Sequence, residues 1–289
     1  MTPANLLILL IKASLITLMT ALGLGLEAHR LAEHQQRPWL VLRGVLASCV
    51  LVPLVALVLL MLPISQSMSP GARLGIALMA LSPSAPLTLR KAGVQGGDAH
   101  LAAVLQVAAA LVAVVSIPLL GDVFRASFQV RGWDIQPGQV AWQVGLVQVL
   151  PLGGGLLLGH WKPKLAARWA VPVQKMALVM NLTVVGVVLA LVLPRLLTFL
   201  GANVGAIGAM VAMTAAALAI GWGLGGRQRD ARLTMALVTS MRNPGLALLF
   251  AVTHGSGVPG LKLAIATYLL VTILTSIPFL RWARKSIAP

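Results

Sequence analysis

Residues 233–250 read LTMALVTSMRNPGLALLF. The stretch is apolar and long enough to cross a bilayer, yet Ser240, Arg242, Asn243, Pro244 and Gly245 stand at its centre. A cation at that depth costs roughly 2.5–3.5 kcal/mol on insertion scales, so it needs a partner or a cavity. Proline has no N–H and its ring clashes with the preceding turn, so a straight helix through Pro244 is not expected. Opened backbone at membrane depth survives where protein or water satisfies it. The segment therefore reads as a broken helix around a polar site. A second apolar segment, 71–89, is interrupted by SPSAP at 82–86, with Thr88 just beyond. Two interrupted spans, one in each half of a chain, are the pattern of a transporter binding site.

The composition agrees. Of the 289 residues 58% are hydrophobic and 10% charged, and the mean hydropathy is +0.93. These values point to a polytopic membrane protein. The net charge of +16 does not indicate a nucleic-acid partner, because the basic residues sit in short loops between apolar segments. The single cysteine, Cys49, excludes an intramolecular disulfide and a cysteine metal cluster. The apolar run 5–26 is long enough to span and lacks the basic start of a signal peptide.

Nine spans are expected, at about 5–26, 39–62, 71–94, 99–120, 138–160, 170–193, 201–224, 231–253 and 260–281. With the N-terminus outside, the inner segments hold Arg30, Arg37, Arg90, Lys91, Lys162, Lys164, Arg168, Arg227, Arg229, Arg232, Arg281, Arg284 and Lys285. The outer loops hold Arg73, Arg125, Arg131, Arg195 and Lys262. That bias places the C-terminus in the cytoplasm. Arg43 and Lys175 lie near inner helix ends and can snorkel; Lys12 lies deeper and Arg242 deepest. The acidic residues are Glu27, Glu33, Asp98, Asp122, Asp134 and Asp230, none clearly within a span. Proton or sodium coupling usually needs an intramembrane carboxylate or an oxygen cluster, so this distribution limits the mechanism. Spans 1–4 and 6–9 each carry the broken helix third, and one linking span between them gives an inverted repeat.

The segments MTALGLGLEAHRLAEHQQRP (19–38), SPSAPLTLRKAGVQGGDAHLA (82–102) and VTSMRNPGLALLFAVTHG (238–255) resemble the bile acid:sodium symporter family. The resemblance implies an all-helical fold with two crossed discontinuous helices. It implies a core subdomain at about 71–120 and 231–281 and a panel subdomain at about 5–62 and 138–224. It also implies transport of organic anions, in bacteria across the inner membrane. At the positions matching the family's first sodium site stand Thr88, Leu89, Ala102 and Gln106, and Leu89 cannot coordinate an ion. Around the second stand Val238, Thr239, Met241 and Arg242, where the family has a glutamate at 238 and a glutamine at 242. A family glutamine in the second span is matched by Ser48. Asn243 and Gly245 are retained.

A guanidinium stays protonated at any relevant pH, and a sodium ion beside it is electrostatically unfavourable. The expected function is thus a secondary transporter of a small organic anion, sodium-independent, with Arg242 in place of the bound ion. Sodium- or proton-coupled symport is the alternative. Arg242 has two readings: a brace for the negative C-terminal ends of the first half-helices, which is favoured, or a direct contact to substrate. Thr88, Ser240, Asn243, Gln106 and Asn181 are the other candidate substrate contacts. The second half-helices, beginning near Pro86 and Pro244, turn positive N-termini to the midplane, which favours an anion. A membrane-embedded enzyme is not supported by any H-E-x-x-H, paired intramembrane aspartates or acidic metal cluster, and a sensor would need an output domain. No metal or other cofactor is expected. The bilayer and a small anion are the expected partners, and the sequence does not specify an oligomeric state.

Overall fold

The computed structural model describes residues 3–26, 37–85, 88–128, 137–255 and 257–285, and among these the regular structure is entirely helical. Helix α1 is Pro3–Gly25. Helix α2 runs from Pro38–Leu46 through a π turn at Ala47–Leu51 into Val52–Met61. Helix α3, Pro70–Leu81, is followed after a break by α4, Thr88–Val94. Helix α5 is Ala99–Phe128. Helix α6 runs from Pro137–Val144 through a second π turn, Gly145–Val149, into Leu150–Trp161. Helix α7, Pro163–Ala202, is followed by α8, Val204–Leu224. Helices α9, Arg229–Ser240, and α10, Pro244–Thr253, are the halves of one broken span, and α11 is Leu261–Lys285.

Eight helical stretches among the described residues are long and apolar enough to cross a membrane, with α9 and α10 counted together. The expected span outside these eight, 71–94, holds α3 and α4, and only its first half, of 12 residues, forms an apolar helix, too short to count as a span. Two expected boundaries shift. Span 4 continues to Phe128. Span 6 lies within the 40-residue α7, about 60 Å long at 1.5 Å per residue, so this helix outruns the bilayer's apolar core. Pro172 and Pro194 lie inside it, and neither ends it. Pro86, Glu27, Glu33, Asp134, Arg30 and Arg131 lie outside the described residues.

Burial runs in the sense a bilayer demands. Large apolar side chains such as Leu197, Leu191, Val179 and Leu119 are exposed on the perimeter, while Ser48, Thr88, Gln106, Thr239, Arg242 and Asn243 are buried inside. The α9–α10 span is 83% buried over its most apolar window, against 22–44% for the other seven. It is the centre of the bundle, and polar groups placed on it are shielded from lipid.

Close packing sets two groups of helices. α1 packs along α6 and α7, and α8 packs along α9 and α11, with α3 along α11. Small residues make the approach close. A Cβ on Gly221 of α8 would stand 2.4 Å from the Met235 carbonyl oxygen of α9, and one on Gly23 of α1 would stand 2.4 Å from that of Leu152 in α6. A Cβ on Gly75 of α3 would stand 2.4 Å from Ala264 Cβ of α11. Helix association in lipid relies on this kind of backbone-to-backbone contact, because burial of apolar surface gives little drive there.

Candidate functional site

The site is the crossing of the two broken helices, and prolines explain its backbone chemistry. In an unbroken α-helix each carbonyl accepts from the N–H four residues on. Pro83 cannot supply that donor to the Met79 carbonyl, nor Pro244 to that of Ser240. At both breaks the chain becomes extended. Ser82 has φ −87° and ψ 97°, Met241 φ −81° and ψ 94°, and Asn243 φ −91° and ψ 93°. The two extended segments bond to each other: Ala85 N–H donates to Met241 O at 3.1 Å, and Asn243 N–H to Ser82 O at 3.3 Å. A two-bond crossover thus stands at the middle of the bundle.

The crossover takes the Asn243 N–H that Thr239 would otherwise have used, and Ser84, four residues after Ala80, has left its helix. The π turn of α2 does the same at Ser48. There the pattern is five residues, with Val52 N–H reaching the Ala47 carbonyl. The next bond in that register would come from Pro53, which has no N–H. The carbonyls of Ser48, Ala80 and Thr239 are therefore left without helical donors in the buried interior, and that of Met79 keeps only the Ser82 N–H at 3.2 Å.

Arg242 supplies them. Its side chain is 2% exposed. Nε donates to Met79 O at 3.1 Å, and one terminal nitrogen donates to Ala80 O. The other donates to Ser48 O at 3.0 Å, Ser48 Oγ at 3.1 Å and Thr239 O at 3.4 Å. All five acceptors are neutral oxygens. Three belong to the last turns of α3 and α9, where the peptide dipoles leave a partial negative charge. Among the described residues the acidic side chains lie elsewhere: Asp98 accepts from the backbone of His100 and Leu101, Asp230 from that of Ala231, and Asp122 pairs with Arg125 at 3.3 Å.

The remaining candidates fall into three sets. Ser48, Thr239, Arg242, Asn243, Gln106 and Thr88 are gathered at the crossing. Asn243 Oδ1 accepts from Leu246 N–H at 3.1 Å, capping α10, while its Nδ2 is buried with no partner among the described residues. Gln106 Nε2, from α5, donates to Ser84 O at 2.7 Å, and its Oε1 is buried and unpaired. Thr88 is fully buried at the start of α4, with its Oγ1 3.4 Å from Ser84 Oγ. Leu89, Ala102, Val238 and Met241 contribute apolar packing, Ala102 and Val238 within one buried cluster and the other two against it. Ser240 Oγ turns back to Leu237 O at 3.4 Å, which ties it to its own helix. Asn181 is buried on α7, a helix that packs on α1.

Sequence reasoning missed two groups. Ser14 Oγ on α1 and Gln148 Nε2 in the π turn of α6 are buried and, among the described residues, have no hydrogen-bond partner. Single-turn π bulges recur at functional sites. Both π turns lie just before a proline, Pro53 and Pro151. An internal proline one turn after a polar residue, as Pro151 follows Gln148, is the signal that could have located that group; Ser14 has none.

Among the described residues no group of three His, Cys, Asp or Glu side chains is placed to hold a metal ion. No curated protein gives a significant match to the chain. The family model described as the sodium bile acid symporter family matches residues 13–199, which takes in the later part of α1, all of α2, the first broken helix and Gln106, and ends before α9. That match covers more than half of the sequence, and the helical bundle has the spans an integral membrane transporter requires. The chain belongs to the sodium bile acid symporter family.

Proposed function

We propose that this transporter carries a small organic anion by alternating access and without sodium, with Arg242 as a fixed cation where relatives bind a mobile one. The observation that carries the reading is the guanidinium's set of acceptors, all main-chain or hydroxyl oxygens of the crossing. Leu89 and Ala102 bring no side-chain oxygen to the other ion position. A brace that is covalently attached holds the crossover at every stage of the cycle. Transport then takes the form of facilitated diffusion or exchange.

The substrate would meet the positive end of α10 and, across the crossing, that of α4. Asn243 Nδ2 and Thr88 offer hydrogen bonds from that side. The facing wall is α1, α6 and α7, with Ser14, Gln148 and Asn181. Unmet donors predominate in this set, which suits a carboxylate. Packing favours a panel of α1, α6 and α7 moving against a body that includes α2 and α8, a narrower panel than the expected 5–62 and 138–224. The orientation with the N-terminus outside follows from the basic loops.

The test is counterflow in proteoliposomes with a set of radiolabelled small carboxylates. For whichever is exchanged, replacing sodium by choline leaves the rate unchanged. A steep sodium requirement would overturn the sodium-independent reading, and exchange of cations alone would overturn the choice of substrate class.

A further inference from the structure

The basic end of the bundle holds a cavity of about 310 Å³ between the start of α2 and the turn that joins α8 to α9. Arg37, Trp39, Arg43, Gly226, Arg227 and Gln228 line it. Arg37 donates to Gln228 Oε1, tying one wall to the other. Gly226 has φ +77°, a left-handed turn residue that folds the chain tightly over the opening of α9.

The arginines of this end divide in two. Arg229 donates to the Ala283 carbonyl, and Arg232 donates to Trp222 O at 3.1 Å with its guanidinium 4.4 Å from the Trp222 ring centre. Those two are spent on the protein. Arg43 and Arg227 are exposed and, among the described residues, bond to no protein group. Asp230, the nearest acid in sequence, turns its carboxylate to the Ala231 N–H at 2.8 Å and does not line the cavity.

We propose that this cavity binds the phosphate of an anionic phospholipid headgroup. Planar guanidinium forks suit phosphate oxygens, and the α9 N-terminus, whose Gln228 and Ala231 line the cavity, adds a partial positive charge. The lipid, rather than free phosphate, follows from the rest of the lining. Trp39 is 71% exposed and with Leu40 opens a spanning helix, which is where interfacial indoles meet glycerol and acyl carbons. Basic pockets between spans on this face are suited to acidic headgroups.

The experiment uses the full chain purified in a neutral detergent. Its melting midpoint is followed on adding dioctanoyl phosphatidylglycerol, dioctanoyl phosphatidylcholine or inorganic phosphate at constant ionic strength. The expected result is stabilisation by phosphatidylglycerol alone. Its apparent affinity falls about 10–100-fold in the Arg43→Gln, Arg227→Gln double variant and is unchanged in Lys164→Gln, Arg168→Gln, basic positions outside the cavity. Arg43→Lys, which keeps charge but not the fork, gives a partial loss and serves as the milder variant. Equal stabilisation by phosphatidylcholine, equal protection by inorganic phosphate, or undiminished phosphatidylglycerol affinity in the double variant would each overturn the assignment.

Discussion

Replacing Arg242 by alanine removes five N–H donors from a buried site. The carbonyls of Ser48, Ala80 and Thr239 then lose their donor together, and that of Met79 keeps only the Ser82 N–H. A buried carbonyl without a partner costs about 1–3 kcal/mol, so three would cost roughly 3–9 kcal/mol if nothing replaced the guanidinium. Water entering the vacated space and relief of the cation's own desolvation offset much of this. A net loss of about 3–5 kcal/mol is the expectation, as for breaking other buried charge contacts. The vacated space is lined by those carbonyls and by Ser48 Oγ, with Thr239 Oγ1, itself buried and unpaired, on the same turn. That is the oxygen-rich lining an alkali ion takes. Sodium should therefore stabilise Arg242→Ala, by about 1.4 kcal/mol at ten times its dissociation constant, and should leave the parent protein unchanged. The assay is tryptophan-monitored thermal unfolding in detergent, with sodium chloride exchanged for choline chloride at fixed ionic strength. An alanine variant as stable as the parent in choline would refute the reasoning. So would a parent protein that sodium stabilises.

Other substitutions probe the same geometry. Arg242→Lys keeps the charge but offers three donors on one atom to acceptors spread over four residues, so it should lose about 1–3 kcal/mol and recover none of it with sodium. Asn243→Ala removes the cap on Leu246 N–H and should lower the unfolding midpoint by the equivalent of about 1 kcal/mol, while weakening anion exchange more than stability alone explains. Gly221→Ala sets a Cβ 2.4 Å from the Met235 carbonyl oxygen, so α8 must move off α9; a thermal scan should show a loss of about 1–3 kcal/mol. Gln148→Leu, at a position with no protein partner, should leave the unfolding midpoint near that of the parent and reduce exchange of carboxylates, measured by counterflow.

The broken helices were legible because proline writes its effect locally. Pro244 and the pair Pro83 and Pro86 mark a helix that cannot continue, and Asn243 just before Pro244 reads as an N-cap. The depth of Arg242 was legible from its distance to the span ends. The brace reading named the C-terminal ends of the first half-helices as a class of acceptor, but not the individual atoms or Ser48. Apart from Thr239 those atoms lie 162 to 194 residues away, and all but Ser48 Oγ are main-chain carbonyls, which leave no signature of their own in sequence. The indirect signature is the missing donor: Pro83 frees Met79, and Pro53 frees Ser48 once the local register is five residues rather than four. That second step needs the π turn, and periodicity over five residues does not separate π from α. The continuous run of α7 through Pro172 and Pro194 was also hidden, since prolines in a membrane helix are tolerated when neighbours satisfy the freed carbonyls. Ser14 and Gln148 read as ordinary interhelical polar residues until their lack of a partner is seen.

A high-resolution density map of the protein in nanodiscs, collected in sodium-containing buffer, tests the central claim most directly. The account predicts planar guanidinium density from Arg242 against the carbonyls of Ser48, Met79, Ala80 and Thr239. A compact, ion-like peak coordinated by those carbonyls, with the Arg242 side chain turned to lipid or bulk water, would contradict it.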